Sequence, residues 1–170
     1  MILLICGSLR AGSSNAAVVR TAATFDDAQV YEGLGDLPHF NPDDDREPLH
    51  PAVALLRATI GEADAVLFCT PEYAGGLPGS FKNLLDWTVG GGEIYQKPVG
   101  WINASSVAAP TGGGDAHDSL RKVLTYAGTM IVEEACARIP IPREAVSDGR
   151  VEDPELVGRI GNVVATLARR

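Results

Sequence analysis

The sequence predicts an α/β protein in which helices cover both faces of a parallel β-sheet. Five short apolar runs recur along the chain, separated by helix-compatible segments. The first run, Ile2 to Cys6, lacks alternating polar residues, as is typical of a strand that is buried on both faces. Alternating strands and helices imply crossover connections, which make the strands parallel. The length of 170 residues predicts one domain, over residues 1–170.

Each helix prediction depends on periodicity or on signals at the helix ends. The first helix follows Ser-Ser-Asn at 13–15, residue types that favour the N-cap position. The second has Val53, Leu56 and Ile60 on one face. The last begins at an Asp-Pro pair at 153–154, which is typical of a helix start. The predicted helices span residues 16–25, 52–63, 79–89, 115–127 and 154–167.

The strand predictions follow from the apolar runs between these helices. The third of them, which includes Asp64 near its start, is a continuous buried run. A loop rich in glycine, proline and aspartate at 33–48 separates the second strand from the second helix, and loops of that length are usually functional or mobile. The predicted strands span residues 2–6, 28–32, 63–70, 98–105 and 130–134.

Composition and charge exclude several classes of function. The formal net charge of −8 argues against generic binding to nucleic acid or to anionic membranes. The N-terminus lacks a basic region, and its apolar run is too short for a signal peptide or a membrane span, so we expect a cytoplasmic location. Cys6, Cys69 and Cys136 form no C-x-x-C pair and no metal-binding spacing with the histidines, so no metal site is predicted. We expect buried structural thiols.

The loop GSLRAGSSN at 7–15 joins the first strand to the first helix. Such a loop points backbone N–H groups and the positive end of a helix dipole at one place, where phosphate often binds. Gly7 and Gly12 have the P-loop separation, but the lysine that contacts the β- and γ-phosphates is absent, and Leu9 breaks the dinucleotide pattern. A hydroxyl-lined loop with one guanidinium, Arg10, suits a terminal phosphate monoester. A plain turn with capping serines explains the same residues equally well.

The loop PEYAGGLPG at 71–79 follows the third predicted strand. Ligands of open parallel sheets bind beyond the carboxyl ends of the strands, so this loop and the loops after the first and fourth strands are the ones to consider. Its prolines fix part of the backbone, and its glycines allow close approach to a flat ligand. Tyr73 adds an aromatic face. Phe81 and Trp87 in the helix that follows are predicted to be packing residues.

Together, GSLRAGSSN at 7–15 and PEYAGGLPGSFKNLLDW at 71–87 resemble the NADPH-dependent FMN reductase family. This family comprises flavodoxin-like flavoproteins that include quinone, chromate and azo-dye reductases. The resemblance implies a flavodoxin-like three-layer sandwich with strand order 2-1-3-4-5. It also implies non-covalent FMN, reduced by NADPH or NADH, and a small electron acceptor such as a quinone, free flavin, an azo compound or a metal oxyanion.

The resemblance also assigns residues, position by position. The cofactor phosphate falls to Ser8, Arg10, Ser13 and Asn15, with Ser14 contributing through its backbone. The ring system is bordered by Pro71, Glu72 and Tyr73, largely through main-chain atoms, together with Ala74, Gly75 and Gly76 in the same loop. After the fourth strand, Ser105, Ser106 and Gly112 to Gly114 lie where the family edges the flavin. No catalytic side chain is expected, because hydride transfer needs stacked rings in a dry cleft more than an acid or a base.

The chain departs from the family pattern at three positions. Ala74 replaces the usual asparagine, Gly76 replaces the usual serine, and Asp115 falls where arginine is common. The first two changes remove side-chain donors but keep the backbone amides, so FMN binding is expected to survive. Related flavoproteins commonly form dimers through the helix after the P-E-Y motif, so a homodimer or a tetramer is predicted, with Trp87 and Tyr95 as interface anchors.

Two other functions share the predicted fold. An electron-carrier flavodoxin typically has a Thr/Ser-rich phosphate loop without such an arginine, and it does not turn over NAD(P)H. A non-enzymatic member of the fold would bind flavin poorly, and Ala74 and Asp115 keep that alternative open. A phosphatase or a nucleotide hydrolase is excluded by the missing lysine and by the absence of a nucleophile–base pair.

Overall fold

The computed structural model describes residues 1–25, 27–106 and 108–170. Five parallel strands form one sheet in the order β2-β1-β3-β4-β5, which confirms the predicted order. The strands are β1 (Ile2–Cys6), β2 (Ala28–Tyr31), β3 (Ala65–Cys69), β4 (Pro98–Asn103) and β5 (Met130–Arg138). The helices are α1 (Ser14–Ala22), α2 (Pro51–Glu62), α3 (Gly79–Val89), α4 (Gly114–Tyr126) and α5 (Pro154–Ala168).

The helices lie on both faces of the sheet, because successive strand residues point to opposite sides. Ile2 and Leu4 of β1 pack in one apolar core with α1 and α5. Leu3 and Ile5 of the same strand pack in a second core with α2, α3 and α4. Most of the buried side chains are apolar, so burial of the two faces holds the three layers together.

The last strand of the sheet is longer than predicted. The sequence prediction ended β5 at Glu134, but the strand continues to Arg138. A register shift lies opposite Val99 to Trp101, where β4 pairs first with Ile131 and then with Cys136. Because β5 is an edge strand, such an irregularity leaves its charged side chains exposed and outside the core.

The other predicted elements agree with the structure to within three residues at each end. The predicted loop at 33–48 contains two short 3₁₀ turns, Gly33–Asp36 and Pro42–Asp44. The sequence prediction missed a small hairpin of β6 (Val146–Ser147) and β7 (Arg150–Val151). This hairpin packs against α1, where the N–H of Val151 donates to Thr21 Oγ1 at 2.9 Å.

Phe81 and Trp87 are fully buried, as predicted for packing residues. The Trp87 indole N–H donates to the Pro38 carbonyl at 2.8 Å, and the ring meets Phe40 edge-on. With 1% of its surface exposed, Trp87 belongs to the core of this chain, so its predicted role as an interface anchor is wrong.

Within the described residues, no helix has the combined length and apolar character that a bilayer crossing requires.

Candidate functional site

A cavity of about 730 Å³ opens at the carboxyl edge of the sheet. This volume lies in the range that is typical of small-molecule sites. Of the residues predicted for the site, it is lined by Ser8, Arg10, Ser13, Ser14, Asn15, Pro71, Glu72, Tyr73, Ser105 and Ser106. Ala74, Gly75 and Gly76 do not line it. The topology therefore brings the loops after β1, β3 and β4 to one place, as the parallel sheet requires.

One end of the cavity, here called the serine end, is formed by residues 8–15. Ser13 is the N-cap of α1, and its Oγ accepts from the N–H of Asn15 at 3.2 Å. The capping explanation is therefore correct for Ser13. Within the described residues, the N–H groups of Ser14 and Ala16 have no acceptor. These two donors and the positive end of the α1 dipole remain available to an anion.

Two other side chains complete the serine end. Arg10 is exposed, donates to the Gly12 carbonyl at 2.9 Å, and is in no ion pair within the described part of the chain. Asn15 is buried, and its Oδ1 accepts from the Cys69 thiol at 3.2 Å. Burial raises the pKa of that thiol, so it stays protonated and can donate. This contact fixes the Asn15 side chain and leaves its amide hydrogens free.

The opposite end, here called the turn end, is lined by Pro71, Glu72, Tyr73 and Gly113, and it is flanked by the turn at 74–76 and by residues 111–117. Tyr73 and Gly76 exchange two backbone hydrogen bonds of 3.0 and 3.1 Å, which closes a two-residue turn over Ala74 and Gly75. Both central residues have positive φ, 52° at Ala74 and 74° at Gly75. This geometry is that of a type I′ turn, which favours Asn-Gly and explains why the usual family asparagine suits position 74.

Glu72 links the two loops of the turn end. Its carboxylate accepts from the Thr111 hydroxyl and, at 3.1 Å, from the N–H of Ala116 in the first turn of α4. The Thr111 hydrogen bond, with the amides of Ala116 and Asp115, lowers the pKa of Glu72. The resemblance assigned Glu72 to the ring border through main-chain atoms, and its side chain additionally caps α4.

The glycine-rich loop before α4 is held from below by Asn103 at the end of β4. Asn103 Nδ2 donates to the Gly112 carbonyl at 2.9 Å, and its Oδ1 accepts from the N–H of Ser105 at 3.0 Å. Gly113 lines the cavity with φ of 77°, and a Cβ there would clash with the side chains of Ser105 and Asn103. Only glycine therefore fits this position without a shift of its neighbours.

His117 lies under this loop at the start of α4 and is buried. Its Nδ1 is 2.7 Å from the Gly113 carbonyl, while Nε2 has no partner among the described residues. Desolvation lowers the pKa of His117, so the ring is neutral at pH 7. Nδ1–H can then donate to Gly113, which adds a third contact that fixes the glycine-rich loop.

Several lining residues were missed in the sequence analysis. They lie in the loop after β4 and in a segment after β5, and they are Ala104, Ala109, Pro110, Ile141, Pro142, Arg143 and Glu144. Gly113, which the resemblance placed at the edge of the flavin, lines the cavity as well. The segment after β5 carries no recognisable motif, and only the extended β5 brings it to this edge.

The described residues contain no cluster of His, Cys, Asp or Glu suited to hold a metal ion. All three thiols are unpaired, with Cys69 buried and Cys6 and Cys136 half-buried. Burial raises the pKa of each thiol, to about 11 for Cys136. The arrangement therefore offers phosphate donors at one end and backbone turns at the other.

Comparison with known proteins identifies the family to which a chain with this arrangement belongs. The sequence model of the NADPH-dependent FMN reductase family matches residues 1–140. The chain belongs to this family. Its FMN reductase fold is also that of FerB, a flavoenzyme NAD(P)H:(acceptor) oxidoreductase from Paracoccus denitrificans, with a TM-score of 0.81 and 28% identity over 99% of this chain and 97% of that one.

Curated relatives of this chain agree. The quinone reductase of Escherichia coli (strain K12) is 32% identical over 78% of this chain and 73% of its own length. A probable NADPH:quinone oxidoreductase of Oryza sativa subsp. japonica is 29% identical over 98% of this chain and 86% of its own length. The chain is thus a flavodoxin-like oxidoreductase, with FMN as cofactor and NAD(P)H as electron donor.

The residues of the cavity fit this cofactor. The serine end offers unused backbone N–H groups and an unpaired guanidinium for a phosphate. Toward the turn end, the lining includes Pro71, Tyr73 and Gly113, residues that can border a flat ring.

Proposed function

We propose that this protein transfers electrons from NAD(P)H to a quinone through FMN held in the 730 Å³ cavity. When bound, FMN accepts a hydride and passes electrons to a second substrate. The single observation that carries the proposal is that one cavity joins the loops of both family motifs. Relatives named as quinone reductases, from Escherichia coli and Oryza sativa, support the choice of acceptor.

We assign the phosphate to the serine end. Ser8, Arg10, Ser14 and Asn15 line the cavity there, and the N–H groups of Ser14 and Ala16 have no partner within the described chain. Charge-assisted hydrogen bonds from a guanidinium and from backbone amides suit a phosphate dianion. Ser13 contributes by capping α1, which keeps the first turn and its free amides in place.

We assign the ring to the turn end and the acceptor to the open side of the same cavity. Pro71, Glu72 and Tyr73 would border the ring on one side, with Ser105 and Ser106 on the other. Tyr73 is 52% exposed, so its ring can cover a flat ligand from solvent. A dry, shaped cleft of this kind orients two rings for transfer without a side-chain acid.

The test combines cofactor binding with turnover. Purified protein is titrated with FMN, and the loaded protein is then reduced anaerobically with NADPH or NADH before quinones and control acceptors are added. The proposal predicts a bound flavin spectrum and quinone-dependent oxidation of the nicotinamide. No bound flavin in excess FMN, or bound flavin without quinone turnover, would contradict it.

We also propose that the protein forms a homodimer through the exposed face of α3 and α4. Val89 and Tyr126 lie on this face and are 46% and 85% exposed, and they line a shallow, largely apolar groove. Large exposed aromatic and aliphatic side chains are enriched in interface cores.

The three unpaired cysteines support a cytoplasmic location.

Light scattering at micromolar concentration tests the assembly. We expect a dimeric or tetrameric mass for the native chain and a monomeric mass for Tyr126→Arg, which introduces a charge on this face. Exposed Leu55 of α2, at 60% exposure, provides a matched control, because Leu55→Arg alters a different surface. A monomeric native chain would refute the proposed assembly.

A further inference from the structure

We propose that Arg143, in the segment after β5, is a second phosphate-binding residue that holds the FMN 5′-phosphate together with Arg10. The inference rests on the proposed function and adds a residue that lies beyond positions 1–140, the part matched to the family. Arg143 lines the main cavity with the serine-end residues. It also lines a neighbouring cavity of about 390 Å³, and these two cavities share Arg10, Ser14 and Arg143.

The backbone around Arg143 is anchored on both sides. Before it, the N–H of Ile139 donates to Asn103 at 2.9 Å and that of Ile141 to Ala104 at 3.3 Å, so the chain follows the end of β4. After it, Val151 of β7 binds Thr21 of α1. Because the segment is tied to β4 and to α1, Arg143 is held at the first turn of α1 rather than on a free loop.

The charges at this end of the cavity favour an anion. Within the described residues, neither Arg10 nor Arg143 is in an ion pair, in a chain with a net charge of −8. Two exposed guanidinium groups that line the same cavity repel each other unless an anion lies between them. A phosphate dianion can accept from both, and from the N–H of Ser14, through charge-assisted hydrogen bonds.

One carboxylate opposes this arrangement. Glu144 follows Arg143 and also lines the main cavity. It would repel a phosphate nearby and would weaken, without cancelling, the attraction of the two guanidinium groups. Substitutions at 143 and 144 should therefore change phosphate affinity in opposite directions, which distinguishes a role in binding from a role in folding.

The experiment compares the dissociation constants of FMN and riboflavin for the native chain and its variants, by quenching of flavin fluorescence. Riboflavin lacks the phosphate and serves as the control ligand. For Arg143→Ala we expect FMN binding to weaken by about 10- to 100-fold, with riboflavin binding unchanged. For Glu144→Gln we expect FMN binding to tighten by about two- to fivefold. Arg150→Ala, an exposed arginine of β7 that lines neither cavity, should bind both ligands as the native chain does.

Three results would overturn the inference. In the first, Arg143→Ala binds FMN as tightly as the native chain does. In the second, the binding of FMN and of riboflavin weakens equally, which assigns Arg143 a structural role. In the third, FMN binding is unchanged but NADPH binds more weakly while NADH does not, which assigns it to the nucleotide 2′-phosphate. Loss of FMN binding by the native chain itself would instead refute the proposed function, so the two failures are distinguishable.

Discussion

The two ends of the cavity are built by different means. At the serine end, a helix start, two amides without an acceptor and two guanidinium groups outside any ion pair of the described residues provide donors for an anion. At the turn end, the backbone turns over Ala74 and Gly75, and the acidic side chains, such as Glu72, are used to fix the loops. Substitutions at the serine end should therefore affect phosphate affinity, whereas those at the turn end should affect stability and all flavins alike.

The largest effect is expected at the turn end from Gly113→Ala. The new Cβ would clash with Ser105 and Asn103 at a φ of 77°, so we expect a loss of about 3 kcal/mol in the free energy of unfolding. Denaturant unfolding measures it. Gly114→Ala is the matched control, because a Cβ there meets nothing within 4 Å and alanine favours the helix. Equal stability of the two variants would refute the packing argument.

At the serine end, Arg10→Ala tests the phosphate assignment. Removing a charge-assisted donor should weaken FMN binding by about 1.5–3 kcal/mol, while riboflavin binding and the free energy of unfolding stay unchanged. Flavin fluorescence titration measures both affinities. If FMN and riboflavin weaken together, Arg10 does not contact the phosphate, and the contrast between the two ends fails.

Acidification should weaken the turn end through two groups. The pKa of Glu72 is lowered from 4.5, mainly by the Thr111 hydroxyl, and that of His117 is lowered from 6.5 by burial. Each lowered pKa means that the unfolded chain binds more protons, so stability falls as the pH falls. We expect the loss to begin below pH 6.5 through His117 and to continue below pH 4.5 through Glu72.

Chemical denaturation between pH 7.5 and pH 4 measures this loss. His117→Asn should remove the decline that starts below pH 6.5, and Glu72→Gln the one below pH 4.5. Both variants keep the serine end intact, so the ratio of FMN to riboflavin affinity should not change with either. A native-like pH profile in both variants would show that other groups cause the decline.

The smallest effect is expected from Ala74→Asn, and it is a gain. Ala74 has φ of 52°, a region that asparagine tolerates better than alanine, and Asn-Gly is the preferred pair for a type I′ turn. We expect the free energy of unfolding to rise by about 0.5–1 kcal/mol, measured by thermal and denaturant unfolding. A loss of stability would mean that the turn depends on contacts specific to alanine.

Much of this architecture was predictable because local signals and the global fold agree. The apolar run at Ile2–Cys6, the N-cap at Ser13 and the Asp-Pro start of α5 each specify an element by themselves. Parallel pairing then places the loops after β1, β3 and β4 at one edge, so motifs distant in sequence meet. The meeting of these loops needed no further information, whereas the strand order was expected from the resemblance to the family.

The features that escaped prediction depend on tertiary contacts. Glu133 and Glu134 interrupt the apolar pattern, so the continuation of β5 to Arg138 was missed, and Arg143 with it. The cap that Glu72 provides for α4 joins residues far apart in sequence, and no local pattern reports it. A tryptophan at position 87 is equally typical of a core and of an interface. Only its hydrogen bond to the Pro38 carbonyl shows that it belongs to the core.

The contact between Glu72 and the start of α4 has a consequence for protein engineering. The loop at 71–76 and the loop at 111–116 share one carboxylate, so they form a single module although more than thirty residues of chain separate them. A graft that replaces only the loop at 71–76 to admit a new acceptor would leave Thr111 and Ala116 without the Glu72 carboxylate. A graft that replaces only the loop at 111–116 would leave Glu72 without these two donors. Libraries that exchange both loops from the same donor protein should retain folded members more often than libraries that exchange either loop alone.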